Sequence, residues 1–146
     1  MEIQRAPIVI AGQAREWARG TGVVGARGFV FLSGSVGFDL NTGKIPEGAG
    51  EQAKLALENI KGALEEYGSS LKNIVHIYQF VKGQFPNGVS NDPKWTEISH
   101  AMQDFWKENC PEFRHENNPI AETLIGVTSL AMPELQVEIQ AVAAIP

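Results

Sequence analysis

Two carboxylates stand inside the β-forming runs that fill the last quarter of the chain, Glu122 in AETLIGVTSL (121–130) and Glu138 in ELQVEIQAVA (134–143). A carboxylate in such a run either faces water or sits in a pocket, and in a pocket it can move a proton or orient a water. Side chains alternate between the faces of a strand. Val137, Ile139 and Ala141 therefore share one face and Glu138 takes the other. The two runs read as a β-hairpin. In it Thr123, Ile125 and Val127 would face the core, leaving Glu122, Leu124 and Gly126 on the other side. If the two acids come close, their repulsion raises one pKa toward the working pH, which suits acid–base chemistry.

Other reactive residue types give weaker signals. GTGVVG (20–25) has the spelling of a dinucleotide fingerprint. That motif requires a strand before it and a helix after it, so that the helix N-terminus meets the pyrophosphate. A strand follows here, and the segment reads as flexible loop. His76, His100 and His115 lack the i, i+4 partner of a helical zinc pair and read as solvated or packed side chains. Arg114, Glu116, Asn117 and Asn118 surround His115 in a polar stretch. Cys110 has no base beside it and reads as structural. Ser33 and Gly34 end an apolar run. The glycine would let a ligand approach the backbone and leave an N–H to donate, or simply mark a bend.

These residues need elements to hold them. The chain has 146 residues, 43% hydrophobic and 20% charged, which fits one domain over 1–146 with its own core. The formal net charge of −5, with no Lys/Arg cluster, argues against nucleic acid or an anionic membrane as partner. No apolar run has the length of a membrane span. The single cysteine excludes an internal disulfide and a Cys-based zinc site. A reduced, cytoplasmic protein is expected.

Residues 13–27, rich in Gly, Ala and Arg, read as loop or irregular edge. FVFLSGSV (29–36) reads as one strand, followed by a turn at 38–46 built on Asn41, Thr42 and Gly43. Ala53, Ala56, Leu57, Ile60, Leu64 and Tyr67 fall on one helical face, with Gly68 as the stop. NIVHIYQFVKG (73–83) is a strand. Asp92 then caps a second helix with Pro93 in its first turn, burying Trp95, Ile98, Met102, Phe105 and Trp106. The order β, α, β, α, β, β, with a further strand at 3–10, predicts a two-layer α+β domain. Its mostly antiparallel sheet would carry two helices on one face.

From Trp17 to Ala144 these segments resemble the Rid family, the YjgF-type reactive-intermediate (enamine/imine) deaminases. GFVFLSGSVGFDLNTGKIP (28–46) looks like the family's strand with its Ser-Gly and Thr-Gly turns. EQAKLALENIKGALEEYG (51–68) resembles its first helix, IVHIYQFVKG (74–83) its central strand and VEIQAVA (137–143) its closing strand. The resemblance implies a chorismate-mutase-like fold assembled as a homotrimer, with pockets in the clefts between subunits. It also implies hydrolysis of imino or enamino acids without metal or organic cofactor. Residue by residue, Glu138 matches the water-handling glutamate, and Ser33 and Gly34 match the pocket rim. Trp17 stands where an aromatic residue reaches across the interface, Ser99 falls near a pocket asparagine, and Leu124 takes the place of a small or cysteine residue.

Glu122 stands where the family's carboxylate-binding arginine should be. A bidentate arginine contributes a charged hydrogen bond of roughly 1.5–3 kcal/mol. An acid there instead repels a carboxylate by about 4 kcal/mol at ~4 Å and an effective dielectric of ~20. Simple 2-imino acids should bind poorly unless Arg114, Arg15 or Arg19 supplies the cation. The leading expectation is a deaminase-type hydrolase using Glu138 and Glu122 on another enamine, imine or related intermediate. The alternatives are a non-catalytic trimer binding a small ligand, and a different hydrolytic or tautomerase reaction on the same scaffold.

Overall fold

The computed structural model describes residues 1–113 and 117–146. In chain order the elements are strands β1 (Glu2–Ile10), β2 (Gln13–Val24), β3 (Gly28–Phe31) and β4 (Ser35–Val36), helix α1 (Ala49–Glu66), strand β5 (Ile74–Lys82), helix α2 (Pro93–Asn109), and strands β6 (Glu122–Val127) and β7 (Val137–Ile145). One mixed sheet runs β3–β7–β5–β6, with β4 also on β7; among the described residues β1 and β2 pair only with each other. Both helices cover one face of the larger sheet, giving the expected two-layer α+β arrangement. No helix among the described residues is long and apolar enough to cross a membrane.

The helices follow their sequence signals. Ala53, Ala56, Leu57, Ile60 and Leu64 of α1 are fully buried, and Gly68 ends the helix with a φ of 71°. Tyr67 departs from its expected place on that face. It sits at the C-cap, beyond the last helical turn, and is exposed. Asp92 caps α2 by accepting from the Lys94 N–H at 2.9 Å, with Pro93 as the first helical residue. Ile98, Met102, Phe105 and Trp106 are buried, while Trp95 is half-buried against the same core. The turn at 38–46 is held by Asp39, whose carboxylate accepts from the Asn41 and Thr42 N–H groups at 2.8 and 3.0 Å. These bonds hold its pKa below the ordinary value.

The strands correct four expectations. The closing β-hairpin does not form, because β5 lies between β6 and β7. It runs parallel to β6, from Ile77↔Glu122 to Lys82↔Val127, and antiparallel to β7, with Phe80 opposite Glu138. An apolar strand gains most from a central place with neighbours on both edges. This register inverts the expected faces of β6. Glu122, Leu124 and Gly126 lie beside Ile77, Gln79 and Val81 on the helix-covered face, and Thr123, Ile125 and Val127 take the open one.

The apolar run 29–36 is likewise not one strand, since the ladder breaks over Leu32–Gly34. The Leu32 N–H still donates to Ala141 O at 3.0 Å, and Leu32 O accepts from Gln140 Nε2 at 3.1 Å.

Residues 13–24, expected as loop, form β2. Ala11 and Gly12, with φ of 51° and 78°, make the turn from β1, a backbone suited to the right-handed twist of a hairpin. GTGVVG thus runs along the end of a strand with another strand after it, not a helix. Arg5 fastens this hairpin to the larger sheet. Its guanidinium donates to Ile74 O at 2.6 Å and Lys72 O at 3.0 Å and lies 5.0 Å over the Phe113 ring. Burial lowers its pKa.

Gln52 joins the layers. It is fully buried, donates to Pro46 O at 2.7 Å and Glu134 O at 3.0 Å, and accepts from the Gln136 N–H at 2.8 Å. Gly37 permits this approach, because a Cβ there would lie 2.6 Å from Gln52 Cα. Gln52→Leu should leave Pro46 O and the Gln136 N–H unpaired and lower stability by about 2–4 kcal/mol in urea denaturation. Cys110, buried at the end of α2, has its thiol pushed up to about 12, chiefly by desolvation and then by Glu112. The folded protein should therefore resist iodoacetamide at pH 8.5, and the urea-unfolded chain should be alkylated readily.

Candidate functional site

The sheet separates the candidate residues into two groups. The first lies on its open face. Glu138 projects from β7 between Phe80 and Val36, and its side chain extends over Gly34. A Cβ on residue 34 would fall 2.6 Å from the Glu138 carboxyl carbon, so only glycine leaves the carboxylate its place. Ser33 is exposed beside it, in the break between β3 and β4. Further along this face, His76 Nε2 lies 3.0 Å from Thr123 Oγ1, and the His76 and Tyr78 rings are 4.3 Å apart. Burial lowers the His76 pKa, favouring its neutral form. Phe29 and Phe31 stand at the β3 edge, 48% and 74% exposed, a large apolar area without cover.

The second group lies at the opposite side of the sheet, in a cleft of about 270 Å³ between β6, α2 and β2. Glu122, Leu124, Ser99 and Trp17 all line it. Trp17 reaches it because the Ala18 N–H donates to Ile120 O at 3.0 Å, seating β2 against the segment that leads into β6. Gln79, 1% exposed, donates its Nε2–H to Glu122 Oε2 at 2.9 Å and so fixes the carboxylate at the cleft floor. Trp106 is braced edge-on between Phe105 and Phe113, with ring centroids 5.2 and 5.4 Å away.

Four of the expected residues thus meet in the cleft, and Glu138, Ser33 and Gly34 meet on the open face. Within one chain Glu122 and Glu138 do not form the close pair that a hairpin would have allowed. Arg15 and Arg19 do not line the cleft, and Arg114 lies outside the described residues. Sequence reasoning missed Gln79, Trp95, Trp106 and Glu16 as cleft residues. The tryptophans had been assigned to the core by helical period. Gln79 carried a readable signal, being the one polar residue on the face of β5 that also carries Ile77 and Val81.

Comparison with known proteins bears on the family and the fold. The endoribonuclease L-PSP family profile matches residues 14–145. A RutC family protein of Aquifex aeolicus is 29% identical over 120 residues, covering 82% of this chain and 84% of its own. Another from Pyrococcus horikoshii is 31% identical over 121 residues, covering 81% and 80%. Among solved structures, the Rid family protein YyfB of Yersinia pestis, described as of unknown function, superposes with a TM-score of 0.71 at 22% identity, covering 96% of this chain and 98% of its own. Escherichia coli TdcF with bound serine gives 0.64 at 26% identity, covering 96% and 93%. With the profile spanning nearly the whole chain and the same α+β fold in these neighbours, the chain belongs to the endoribonuclease L-PSP family, the Rid or YjgF-type proteins.

Proposed function

We propose that the protein is a cofactor-free, deaminase-type hydrolase of an enamine, imine or related reactive intermediate, working in clefts between the subunits of a homotrimer. The observation that carries this reading is the division of the site residues between the two faces of one sheet. Neither half holds both a water-handling acid and a cleft for a ligand. A neighbouring copy supplies the missing half, setting Glu138, Ser33 and Gly34 of one subunit against Trp17, Ser99, Glu122 and Leu124 of the next. The uncovered Phe29 and Phe31 support such a contact, since large exposed apolar patches mark interaction surfaces. The serine bound in TdcF supports a small ligand with amino-acid chemistry.

In this reading Glu138 accepts a proton from water as the water oxygen bonds to the imine carbon. The C–N bond then breaks, and the nitrogen leaves as ammonia with the returned protons, leaving a carbonyl. An enamine first tautomerises to the imine. Glu122 receives an amine or hydroxyl of the substrate, because an acid at that position repels a carboxylate. A binding protein without turnover is the second reading, favoured by the same acid in the arginine's place.

Ammonia release from a panel of enamines should fall roughly 10²-fold or more in Glu138→Gln, the scale of a lost general base. Equal rates in both proteins would remove Glu138 from the mechanism, and ligand-induced thermal shifts without ammonia would favour the binding reading. Native mass measurement should give three times the 15.9 kDa chain. When Glu138→Gln and Trp17→Ala subunits, each inactive alone, are co-refolded in equal amounts, about one quarter of the clefts should combine two intact halves by random pairing and regain activity. No recovery, or a monomeric mass, would overturn the shared cleft.

A further inference from the structure

Hydrolysis at a C–N bond needs an acid and a water, not the aromatic lining of the cleft beside β6. The chain has three tryptophans, and all three, Trp17 of β2 with Trp95 and Trp106 of α2, line this one cleft. Met102 and Leu124 complete its apolar wall. Trp106 meets Phe105 and Phe113 edge-on, so its ring is fixed before any ligand arrives and costs little to order on binding. A planar ring among indoles gains more than its buried area returns, through offset or edge-on contact. The thioether of Met102 adds a sulfur that favours ring edges. The volume agrees. An apolar cavity of about 150 Å³ is enough for benzene, and about 270 Å³ takes such a ring with a short polar arm.

Gln79 bears on what the arm carries. It is 1% exposed, lines the same cleft and commits its amide nitrogen to Glu122. Its Oε1 accepts no hydrogen bond among the described residues. A buried acceptor left unpaired costs free energy that an incoming donor would recover. We infer that the cleft binds an aryl group among the three indoles, with a polar arm that gives an N–H or O–H to Gln79 Oε1. Resting on the hydrolase reading for its place in turnover, this makes the substrate an enamine or imine with an aromatic side chain. Binding itself can be measured apart from turnover.

Because every tryptophan lines the cleft, tryptophan emission reports on it. Benzyl alcohol, cyclohexylmethanol and benzyl methyl ether are titrated separately. All three are neutral, so the acids of the cleft do not sort them by charge. Both controls are more apolar than benzyl alcohol, and desolvation alone would rank them above it. Benzyl alcohol should instead change the emission saturably and bind about twofold or more tighter than cyclohexylmethanol, which carries the same hydroxyl on a saturated ring. It should bind about fivefold tighter than benzyl methyl ether, which keeps the ring and has no donor. In Gln79→Met, with the fold intact by circular dichroism, the advantage over the ether should disappear. Trp95→Leu, at a half-buried position, should in the same way lose the advantage over cyclohexylmethanol.

Cyclohexylmethanol binding the wild-type protein as tightly as benzyl alcohol, or no saturable change with any of the three, would overturn the aryl site without any variant. Equal or tighter binding of the ether would overturn the role given to Gln79. Aryl binding with no ammonia release from any enamine would sustain this inference and defeat the hydrolase reading. Ammonia release at equal kcat/KM from enamines with methyl and benzyl side chains would sustain the hydrolase and overturn the aromatic substrate class.

Discussion

The position of β5 between β6 and β7 is the constraint on which the arrangement of functional groups depends. Side chains alternate along each strand, and paired residues on adjacent strands share a face. Once Ile77 pairs with both Glu122 and Ala141, every side chain on β6 and β7 has its side of the sheet assigned. Glu122 must then lie under α2, and Glu138 must lie on the uncovered face. A register slip of one residue on β6 would move Glu122 out of the cleft and bring Thr123 into it, exchanging an acid for a hydroxyl. The sheet therefore acts as a partition. The proposed trimer is the means by which groups on its two sides meet.

Each carboxylate is held by a different physical device. Glu122 is anchored by a donor, since Gln79 sits among Ile77 and Val81 and gives its amide hydrogen to the acid at 2.9 Å. A hydrogen bond to a charged group contributes roughly 1.5–3 kcal/mol. Glu138 is accommodated by an absence, the missing side chain of Gly34, which leaves room for the carboxylate beside the backbone. The first device fixes orientation. The second leaves Glu138 above the break between β3 and β4, a position that suits the water-handling role proposed for it.

What the sequence revealed was mostly local. The period of Ala53 to Leu64, the Asp92–Pro93 cap and the Asn41–Gly43 turn depend on residues within a turn or two of one another, and the structure contains all three. The failures were non-local. Two β-forming runs joined by a short connection look like a hairpin until a third strand competes for the place between them, and nothing in 121–143 encodes that competition. The faces of β6 were misassigned for the same reason. Strand β2 was missed because Ala18 is its only buried residue, so no alternation of apolar and polar side chains marks it. At the site, Trp17, Ser99, Glu122 and Leu124 were each named through family likeness and line one cleft, whereas Gln79 and the two helical tryptophans needed the folded chain.

The pairing pattern also bears on how the chain is made. Among the described residues, strands β3 and β4 have no partner in the sheet except β7, which follows the other described elements in sequence, and Val30 meets Ala143. During synthesis the backbone of β3 emerges well before the strand that will pair with it. Contacts of such long sequence separation slow folding, since the loop must close before the contact is gained. A nascent chain of this protein thus carries an unpaired, phenylalanine-bearing strand until β7 leaves the ribosome. That interval is when it would be most prone to aggregate and most in need of a chaperone.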